Sequence, residues 1–257
     1  MKGFDCNVKL SFDVASKFKA SGFDYAIRYV GRYTMASHDI DKNELNDILN
    51  AGVDLGIVQH CPAGKGILPS KELGKLWGTN AREFSKQVGY GEGKIVYLDL
   101  EDVNSDYRYR QQEIFDYCNA WYDEVVQYYT PGIYIGFNNY MTSDQLYNDL
   151  AFKDYWQSLS RVPDVSVRGY AMRQYPYGTL HGIQIDKNIL MGDRLGRSPQ
   201  FMKGKVIEQT ELDKTLAVLK GAGITNSPEY WREKAKEVKY LEPLLLNMAN
   251  YIKETKK

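Results

Sequence analysis

The residues of this chain best suited to chemistry lie in the run IVYLDLE, at positions 95–101. Its β-branched and aromatic composition predicts a strand, and side chains two apart on a strand share a face. Asp99 and Glu101 are therefore expected on one face, with Leu98 and Leu100 on the other. Crowding separates the pKa values of two acids, so one can hold a proton near neutral pH while the other is ionised. Such a pair can cleave a glycosidic bond, although two solvated acids at a strand end would do no chemistry.

Strand and helix patterns alternate along the first 190 residues, and these elements must position the acids. Eight strands are predicted, at 2–6, 25–30, 55–60, 95–101, 133–137, 155–159, 168–174 and 182–186. Helices separate the first five strands, and shorter connections follow. Alternation of this kind indicates βαβ units, and eight of them predict an α/β fold of the (β/α)8 TIM-like barrel type. A doubly wound open sheet is the alternative, but no GxGxxG follows the first strand and no GxxxxGK[ST] phosphate loop occurs.

Two more acids fall at equivalent places in such a barrel. Asp5 ends the first predicted strand and Asp186 ends the last, and these strands are neighbours when the barrel closes. Both acids should then face the same end of the barrel as Asp99 and Glu101, the end where the strands finish (the mouth). Arg28 is predicted to compensate this negative charge, either in a structural ion pair or by contact with a substrate.

Polar and aromatic side chains occur at the other strand ends. The candidates for binding sugar rings through stacking and hydrogen bonds are Gln59, His60, Tyr134, Trp156 and Gln174. Packing at the rim of the barrel is the alternative for each of them. His60 lacks a second His or Cys at ligand spacing, so no metal site is predicted. No GxSxG elbow supports a serine hydrolase, and no basic stripe with aromatics indicates nucleic-acid binding.

Charge and composition restrict the partners further. The chain has 257 residues, with 33 Lys and Arg against 33 Asp and Glu, which argues against capture of duplex DNA or an anionic bilayer. No uncharged apolar run approaches the roughly 18 residues of a membrane span, so no membrane insertion is expected. The N-terminus has no apolar signal-peptide region, which predicts synthesis in the cytoplasm. The 3 cysteines lack CxxC spacing and are expected to be reduced.

The predicted domain organisation is a barrel over residues 1–195 and a helical module over residues 206–257. The stretch 192–205 is rich in glycine and cations and is predicted to be a linker. About 50 residues of helix bury little core alone. The module should therefore pack on the barrel, dimerise or meet another surface.

Several of these runs together resemble a known family. GFD, YAIRYVGRY, AGVDLGIVQ, IVYLDLE and RQYPYGTLHGIQID resemble the glycoside-hydrolase-like family numbered 1906 among domains of unknown function. The resemblance covers about residues 2–190. That family is similar to the glycoside hydrolase family 25 lysozymes, which are barrel muramidases that cut the β-1,4 bond after N-acetylmuramic acid in peptidoglycan.

The resemblance implies a role for each of the four acids. Glu101 matches the general acid of the lysozymes, and Asp99 matches the acid that orients the 2-acetamido group or stabilises the intermediate. Asp5 and Asp186 match two further carboxylates of the cleft. No metal or organic cofactor is implied. Arg28 and the segment 33–41 depart from the lysozyme pattern.

The tail also resembles a known element. LAVLKGAGITNSPEYW and VKYLEPLLLNMANYI resemble a short helical module at the ends of phage and clostridial cell-wall hydrolases, which implies wall targeting or self-association as a homo-oligomer. A helical pair docked on the barrel is the alternative.

The predicted function is that of a lysozyme-like peptidoglycan hydrolase acting with retention through substrate assistance. An endolysin made by a bacteriophage or prophage, acting at the bacterial cell wall after release, fits the lack of a signal peptide. A barrel that binds wall glycan without cleaving it is the alternative. An aldolase-like barrel is disfavoured, since no predicted strand ends in lysine.

Overall fold

A computed structural model describes residues 1–61, 66–205, 211–238 and 240–255 of the chain. Two compact units are present, Met1–Lys205 and Val206–Lys257. The first unit contains every acid and rim residue singled out from the sequence, and the described part of the second is helical.

The first unit is built on a closed barrel of eight strands in sequential order, which confirms the predicted architecture. The strands are β1 Lys2–Asp5, β2 Tyr25–Val30, β3 Asp54–Gln59, β4 Ile95–Leu100, β5 Thr130–Ile135, β6 Asp154–Gln157, β7 Met172–Leu180 and β8 Ile183–Leu190. Neighbouring strands from β1 to β7 are parallel. Their carboxyl ends therefore meet at the mouth.

Strand β8 departs from the all-parallel pattern, because it is antiparallel to both β7 and β1. Only His181 and Gly182 separate β7 from β8, and both have positive φ, as a two-residue hairpin turn requires. A parallel return would need a crossover of a dozen or more residues. The strands predicted at 168–174 and 182–186 are thus misplaced, since β7 runs to Leu180 and β8 runs to Leu190.

The helices of the first unit connect the parallel strands. They are α1 Phe12–Ala20, α2 Lys42–Asn50, α3 Lys71–Gln87, α4 Gln111–Val125 and α5 Ser143–Asn148. Side-chain oxygens of Ser11, Asp41, Ser70 and Thr142 cap the N-termini of α1, α2, α3 and α5. These caps satisfy backbone N–H groups that the first turn of a helix leaves free, and so fix where each helix begins.

The hydrophobic core of the first unit has two parts. One lies between the strands and the helices, and includes the outward-facing Leu98 and Leu100 of β4. The other fills the barrel interior and consists of Tyr25, Ile27, Val58, Ile95, Tyr97, Trp156, Met172 and Phe201. Inward and outward side chains alternate along each strand. Beyond the apolar layers, at the carboxyl ends of the parallel strands, the inward positions carry polar side chains, which therefore lie at the mouth.

The stretch 192–205 belongs to the barrel unit, so the prediction of a linker there is wrong. Phe201 is buried in the barrel interior and stacks on Tyr25 at 4.5 Å between ring centroids. Met202 pairs with Leu55 through two backbone hydrogen bonds, and Lys203 forms a 2.8 Å ion pair with Asp54. The glycines and cations of this stretch therefore flank Phe201, whose ring closes the barrel interior as a plug. The first unit extends past residue 195 to Lys205.

The second unit contains α6 Glu211–Gly221, α7 Pro228–Glu237 and α8 Leu241–Thr255. Its small core comprises Leu216, Leu219, Leu245 and Ala249. An ion pair between Arg232 and Asp213, at 2.7 Å, joins α7 to α6. Within the described residues, no helix of either unit is long and apolar enough to cross a bilayer.

Candidate active site

Asp99 and Glu101 lie together at the mouth, as the strand pattern predicts. Asp99 is the penultimate residue of β4 and only 8% exposed, while Glu101 follows the strand and is half-buried. A carboxylate oxygen of each, together with Sγ of Cys61, falls within 4.8 Å of the others. The two acids therefore face one small space, and Glu101 is the one that a substrate in the mouth can reach more easily.

The two oxygens of Asp99 have different surroundings. Oδ2 accepts a 3.2 Å hydrogen bond from the backbone N–H of Cys61. Oδ1 is buried and has no hydrogen-bond partner among the described residues. A buried carboxylate oxygen without a donor is costly, and none of the described residues supplies one to Oδ1, so a bound ligand with an N–H or O–H group would stabilise Asp99.

The space for Glu101 depends on Gly136, which follows β5. A Cβ at position 136 would lie 2.3 Å from Cβ and 2.6 Å from Oε2 of Glu101. The register of β4 and β5 pairs Leu100 with Ile135, so the residues that follow them, Glu101 and Gly136, lie side by side. A glycine at this position lets the Glu101 side chain pack against the neighbouring strand.

Asp5 is the centre of a hydrogen-bond network at the same mouth. Its Oδ2 accepts from Nδ2 of Asn188 at 2.7 Å and from Nε2 of Gln174 at 3.0 Å. Its Oδ1 accepts from the hydroxyl of Tyr29 at 3.2 Å. The carboxyl group of Asp5 is thus fixed in orientation by three strands other than its own.

Asp186 lies directly opposite Asp5 in the β1–β8 pairing. Residues opposite each other in an antiparallel pair project to the same face, so Asp186 points into the mouth as well. The sequence prediction placed it at a strand end, whereas it lies inside β8. Because β8 runs antiparallel to β1, Asp186 still lies beside Asp5, as predicted.

Burial raises the pKa of all four acids. It raises the pKa of Asp5 to about 6, against the hydrogen bonds from Asn188 and Gln174 that lower it. Burial and then the charge of Glu101 hold the pKa of Asp99 well above its ordinary range. Burial and then the charges of Asp102 and Asp5 raise the pKa of Glu101, and burial raises that of Asp186. The mouth therefore retains protons at a pH where solvated carboxyl groups are ionised.

Tyr134 and Gln174, two of the predicted rim residues, do lie at the mouth. The hydroxyl of Tyr134 donates to Oε1 of Gln174 at 3.0 Å, which links both to Asp5. Burial and then the charges of Glu101, Asp99 and Asp5 raise the pKa of Tyr134, so its hydroxyl stays a neutral donor.

Two predicted substrate-binding residues lie away from the mouth. Trp156 is 1% exposed and donates from Nε1 to Asn188 at 2.9 Å, so its ring packs in the barrel interior beneath the mouth. Gln59 points outward, where it donates to the carbonyl of Trp77 and accepts from Trp121. Stacking on sugar by Trp156 and sugar binding by Gln59 are therefore wrong predictions.

Arg28 is also outside the mouth. It is fully buried on the outer face of β2, with Nε 2.6 Å from Oε1 of Glu44 on α2. The guanidinium also donates to the carbonyls of Cys6 and His38. Of the two roles considered for Arg28, the structural ion pair is the correct one.

Sequence reasoning missed four residues of the site. Tyr29 and Asn188 bind Asp5, Cys61 binds Asp99, and Arg32 is a nearby cation whose charge lowers the pKa of Asp99 against the larger effect of burial. Tyr29 could have been found, since it precedes the end of β2 on the inward face. Asn188 lay beyond the predicted end of its strand.

His60 extends from the end of β3 toward Tyr29, and the two rings stack with centroids 4.5 Å apart. His60 also lies in a second group of side chains that could hold a metal ion, with His38 and Asp39. The cluster of Cys61, Asp99 and Glu101 is the other such group among the described residues. Chemically, the mouth can donate a proton from one acid and stabilise positive charge with another.

Comparison with known proteins supports the same assignment of the fold. The model of the Rv2525c-like, glycoside hydrolase-like domain matches residues 16–194. Among curated protein sequences, none matches the chain.

Three solved structures illustrate the structural similarity. The Tat-secreted protein Rv2525c of Mycobacterium tuberculosis aligns with a TM-score of 0.56 and 19% identity, over 76% of this chain and 97% of that one. A lysozyme from Streptomyces coelicolor gives 0.51 and 18%, over 76% and 94%. A family 25 glycosyl hydrolase from Bacillus anthracis gives 0.50 and 11%, over 76% and 90%. At these identities the similarity establishes the fold, and with the family match it confirms the resemblance found in the sequence.

Proposed function

The chain belongs to the family of Rv2525c-like, glycoside hydrolase-like domains, and from that premise we propose that its barrel hydrolyses the glycan backbone of peptidoglycan. One observation carries the proposal. Asp99 and Glu101, with oxygens no more than 4.8 Å apart, share the mouth, and the pKa of each is raised. A glycosidase needs a carboxylic acid that is still protonated near neutral pH and a second carboxyl group beside it.

Glu101 is the proposed general acid. It is the more exposed of the two acids, so it can reach the glycosidic oxygen, and its raised pKa keeps it protonated for the first step. Proton transfer from a positioned carboxylic acid typically contributes about 10²–10⁴-fold to the rate. After the leaving group departs, the Glu101 carboxylate accepts a proton from the attacking water.

Asp99 is the proposed partner of the substrate amide. Its buried Oδ1 has no donor among the described residues and can accept the N–H of a 2-acetamido group, and this hydrogen bond lowers the pKa of Asp99 and favours its carboxylate form when substrate is bound. Aligned in this way, the acetamido oxygen attacks the anomeric carbon and Asp99 stabilises the positive charge that develops. An inverting mechanism needs about 6.5–9.5 Å between the two carboxyl groups for a water molecule, so the short spacing favours retention.

The proposed substrate is bacterial peptidoglycan, cut after N-acetylmuramic acid. Support comes from the resemblance to the family 25 lysozymes and from the fold shared with a lysozyme of Streptomyces coelicolor. Tyr134 and Gln174 are the rim residues proposed to contact sugar. The cell wall is accordingly the proposed site of action, and wall targeting is the proposed role of helices α6–α8.

The test is digestion of purified peptidoglycan by the full chain and by Glu101→Gln, with new reducing ends measured over time. Glu113→Gln is the matched control, because Glu113 is a partly exposed residue of α4 paired with Arg110. We expect the wild type and Glu113→Gln to release reducing ends and Glu101→Gln to be at least about 100-fold slower. Equal rates for Glu101→Gln would contradict the assignment. Binding to sacculi without new reducing ends would favour a glycan-binding barrel instead.

A further inference from the structure

Two loops at the rim bring together a second group of potential ligands, which the proposed hydrolysis does not use. His38 and Asp39 lie in the connection between β2 and α2, and His60 follows β3. Oδ1 of Asp39 is 2.9 Å from Nε2 of His60 and 3.8 Å from Nε2 of His38. Two imidazole nitrogens thus converge on one carboxylate oxygen, and the potential ligand atoms of all three lie within 4.8 Å of one another.

The central atoms of this group are buried and poorly satisfied. The Asp39 side chain is 1% exposed, and its Oδ1 has no aligned hydrogen-bond donor among the described residues. Nε2 of His60 likewise lacks a hydrogen bond, although the two atoms are close. Two buried polar atoms in contact without a hydrogen bond are costly, unless a third group bonds to both of them.

The surrounding contacts hold the side chains of Asp39 and His60 and the backbone of His38 in place. Oδ2 of Asp39 accepts a 2.6 Å hydrogen bond from the N–H of Ala36, which directs the other oxygen toward the histidines. Arg28 donates to the carbonyl of His38 at 2.9 Å. The ring of His60 is stacked on Tyr29. Preorganisation of this kind, by contacts to the ligating residues, is typical of metal sites.

We propose that His38, Asp39 and His60 bind one divalent transition-metal ion such as Zn²⁺ at the rim of the barrel. Two neutral imidazoles and one carboxylate form a donor set that suits Zn²⁺, and three protein ligands leave a further position open. His38 is partly exposed, so the ion can enter from solvent. The bound ion ties the β2–α2 connection to the end of β3. Because the ligands come from two loops, their spacing in sequence gives no metal signature.

The experiment measures Zn²⁺ binding by the metal-stripped full chain, using calorimetry and the thermal unfolding midpoint. We expect one Zn²⁺ per chain with a dissociation constant in the micromolar range or tighter, and a raised unfolding midpoint. His60→Gln and Asp39→Asn should each weaken binding by at least about 100-fold, since changes even to residues that support a ligand cost about 10–100-fold. Mg²⁺, which prefers oxygen ligands, should give no response at the same concentration.

Two control variants separate this site from others. His181→Gln removes the remaining histidine of the chain, which contacts Ser21, and it should bind Zn²⁺ like the wild type. Cys61→Ser removes a ligand of the other candidate cluster and should also leave binding unchanged. The unfolding midpoint of each variant without metal establishes that it is folded.

Two outcomes would overturn the proposal. One is a folded wild type without saturable binding up to about 1 mM Zn²⁺. The other is binding that survives in His60→Gln and Asp39→Asn, or that is lost in Cys61→Ser. Without saturable binding, His60 and Asp39 form only an ion pair. Binding that is lost in Cys61→Ser would place the metal among the acids of the mouth instead.

Discussion

Replacing Gly136 by alanine tests the position of Glu101 without altering any acid. An alanine Cβ would lie 2.3 Å from Cβ and 2.6 Å from Oε2 of Glu101. Ordinary carbon–carbon contacts are about 3.5–4.0 Å, so Glu101 must move by about 1 Å. Because Cβ moves only with its backbone, a change of rotamer alone cannot relieve the contact. The end of β4 must shift with the acid.

A displacement of about 1 Å at a reacting group can reduce the rate by about 100-fold, and we expect a loss of that order in Gly136→Ala. Crowding of this kind also costs about 1–3 kcal/mol in the free energy of unfolding. The assay is the initial rate of reducing-end release from peptidoglycan, measured well below the unfolding midpoint.

Gly91→Ala is the matched control for this substitution. Its added Cβ would meet Lys94 at 3.6 Å and Met202 at 3.9 Å, which are ordinary contacts. This variant should retain the wild-type rate. If Gly136→Ala is folded and as fast as Gly91→Ala, the placement of Glu101 against β5 does not matter for the reaction and the reasoning is refuted.

Three further predictions concern stability. Burial raises the pKa of Asp5 from 3.8 to about 6, so between these pH values the folded chain keeps a proton that the unfolded chain loses. The resulting contribution to the free energy of unfolding is about 3 kcal/mol. It is fully present below pH 3.8 and is lost as the pH rises through about 6. Urea unfolding across this range should show that decline, and Asp5→Asn should reduce it; an unchanged slope in the variant would contradict the pKa assignment. Arg28→Met leaves the buried Glu44 carboxylate without its cation and should lower the free energy of unfolding in urea by about 3–5 kcal/mol. Lys9→Met, at an exposed pair with Asp41, should lower it by less than about 1 kcal/mol. Similar losses for both variants would contradict the structural role of Arg28. Phe201→Ala removes the plug of the barrel interior and should cost about 3–5 kcal/mol by the same measurement, while a cost near zero would mean that 192–205 is a linker after all.

The sequence was sufficient to predict the barrel and the convergence of its acids. Side-chain alternation in IVYLDLE places Asp99 and Glu101 inward and Leu98 and Leu100 outward, as observed. This prediction needs only a local pattern and the closure of the sheet, because the carboxyl ends of parallel strands share one edge.

Other features depend on contacts between distant segments, which local patterns do not encode. The direction of Gln59 and Arg28 depends on which alternating face of β3 and β2 turns inward, and the sequence pattern leaves this open because both faces of these strands are largely apolar. The hairpin between β7 and β8 reverses the last strand and extends it to Leu190, which brings Asn188 to Asp5. The plug formed by Phe201 lies in a stretch whose composition indicates a linker, because one buried aromatic residue among glycines and cations gives no periodic pattern.

The most direct test of the proposed muramidase activity is the identity of the sugar at the new reducing end. Purified peptidoglycan is digested with the full chain, the products are reduced with borohydride, and their masses are determined. A muramidase releases fragments that end in reduced N-acetylmuramic acid, and we expect them from the wild type and not from Glu101→Gln. Fragments that end in reduced N-acetylglucosamine, or no new fragments from a folded wild type, would contradict the proposed muramidase activity.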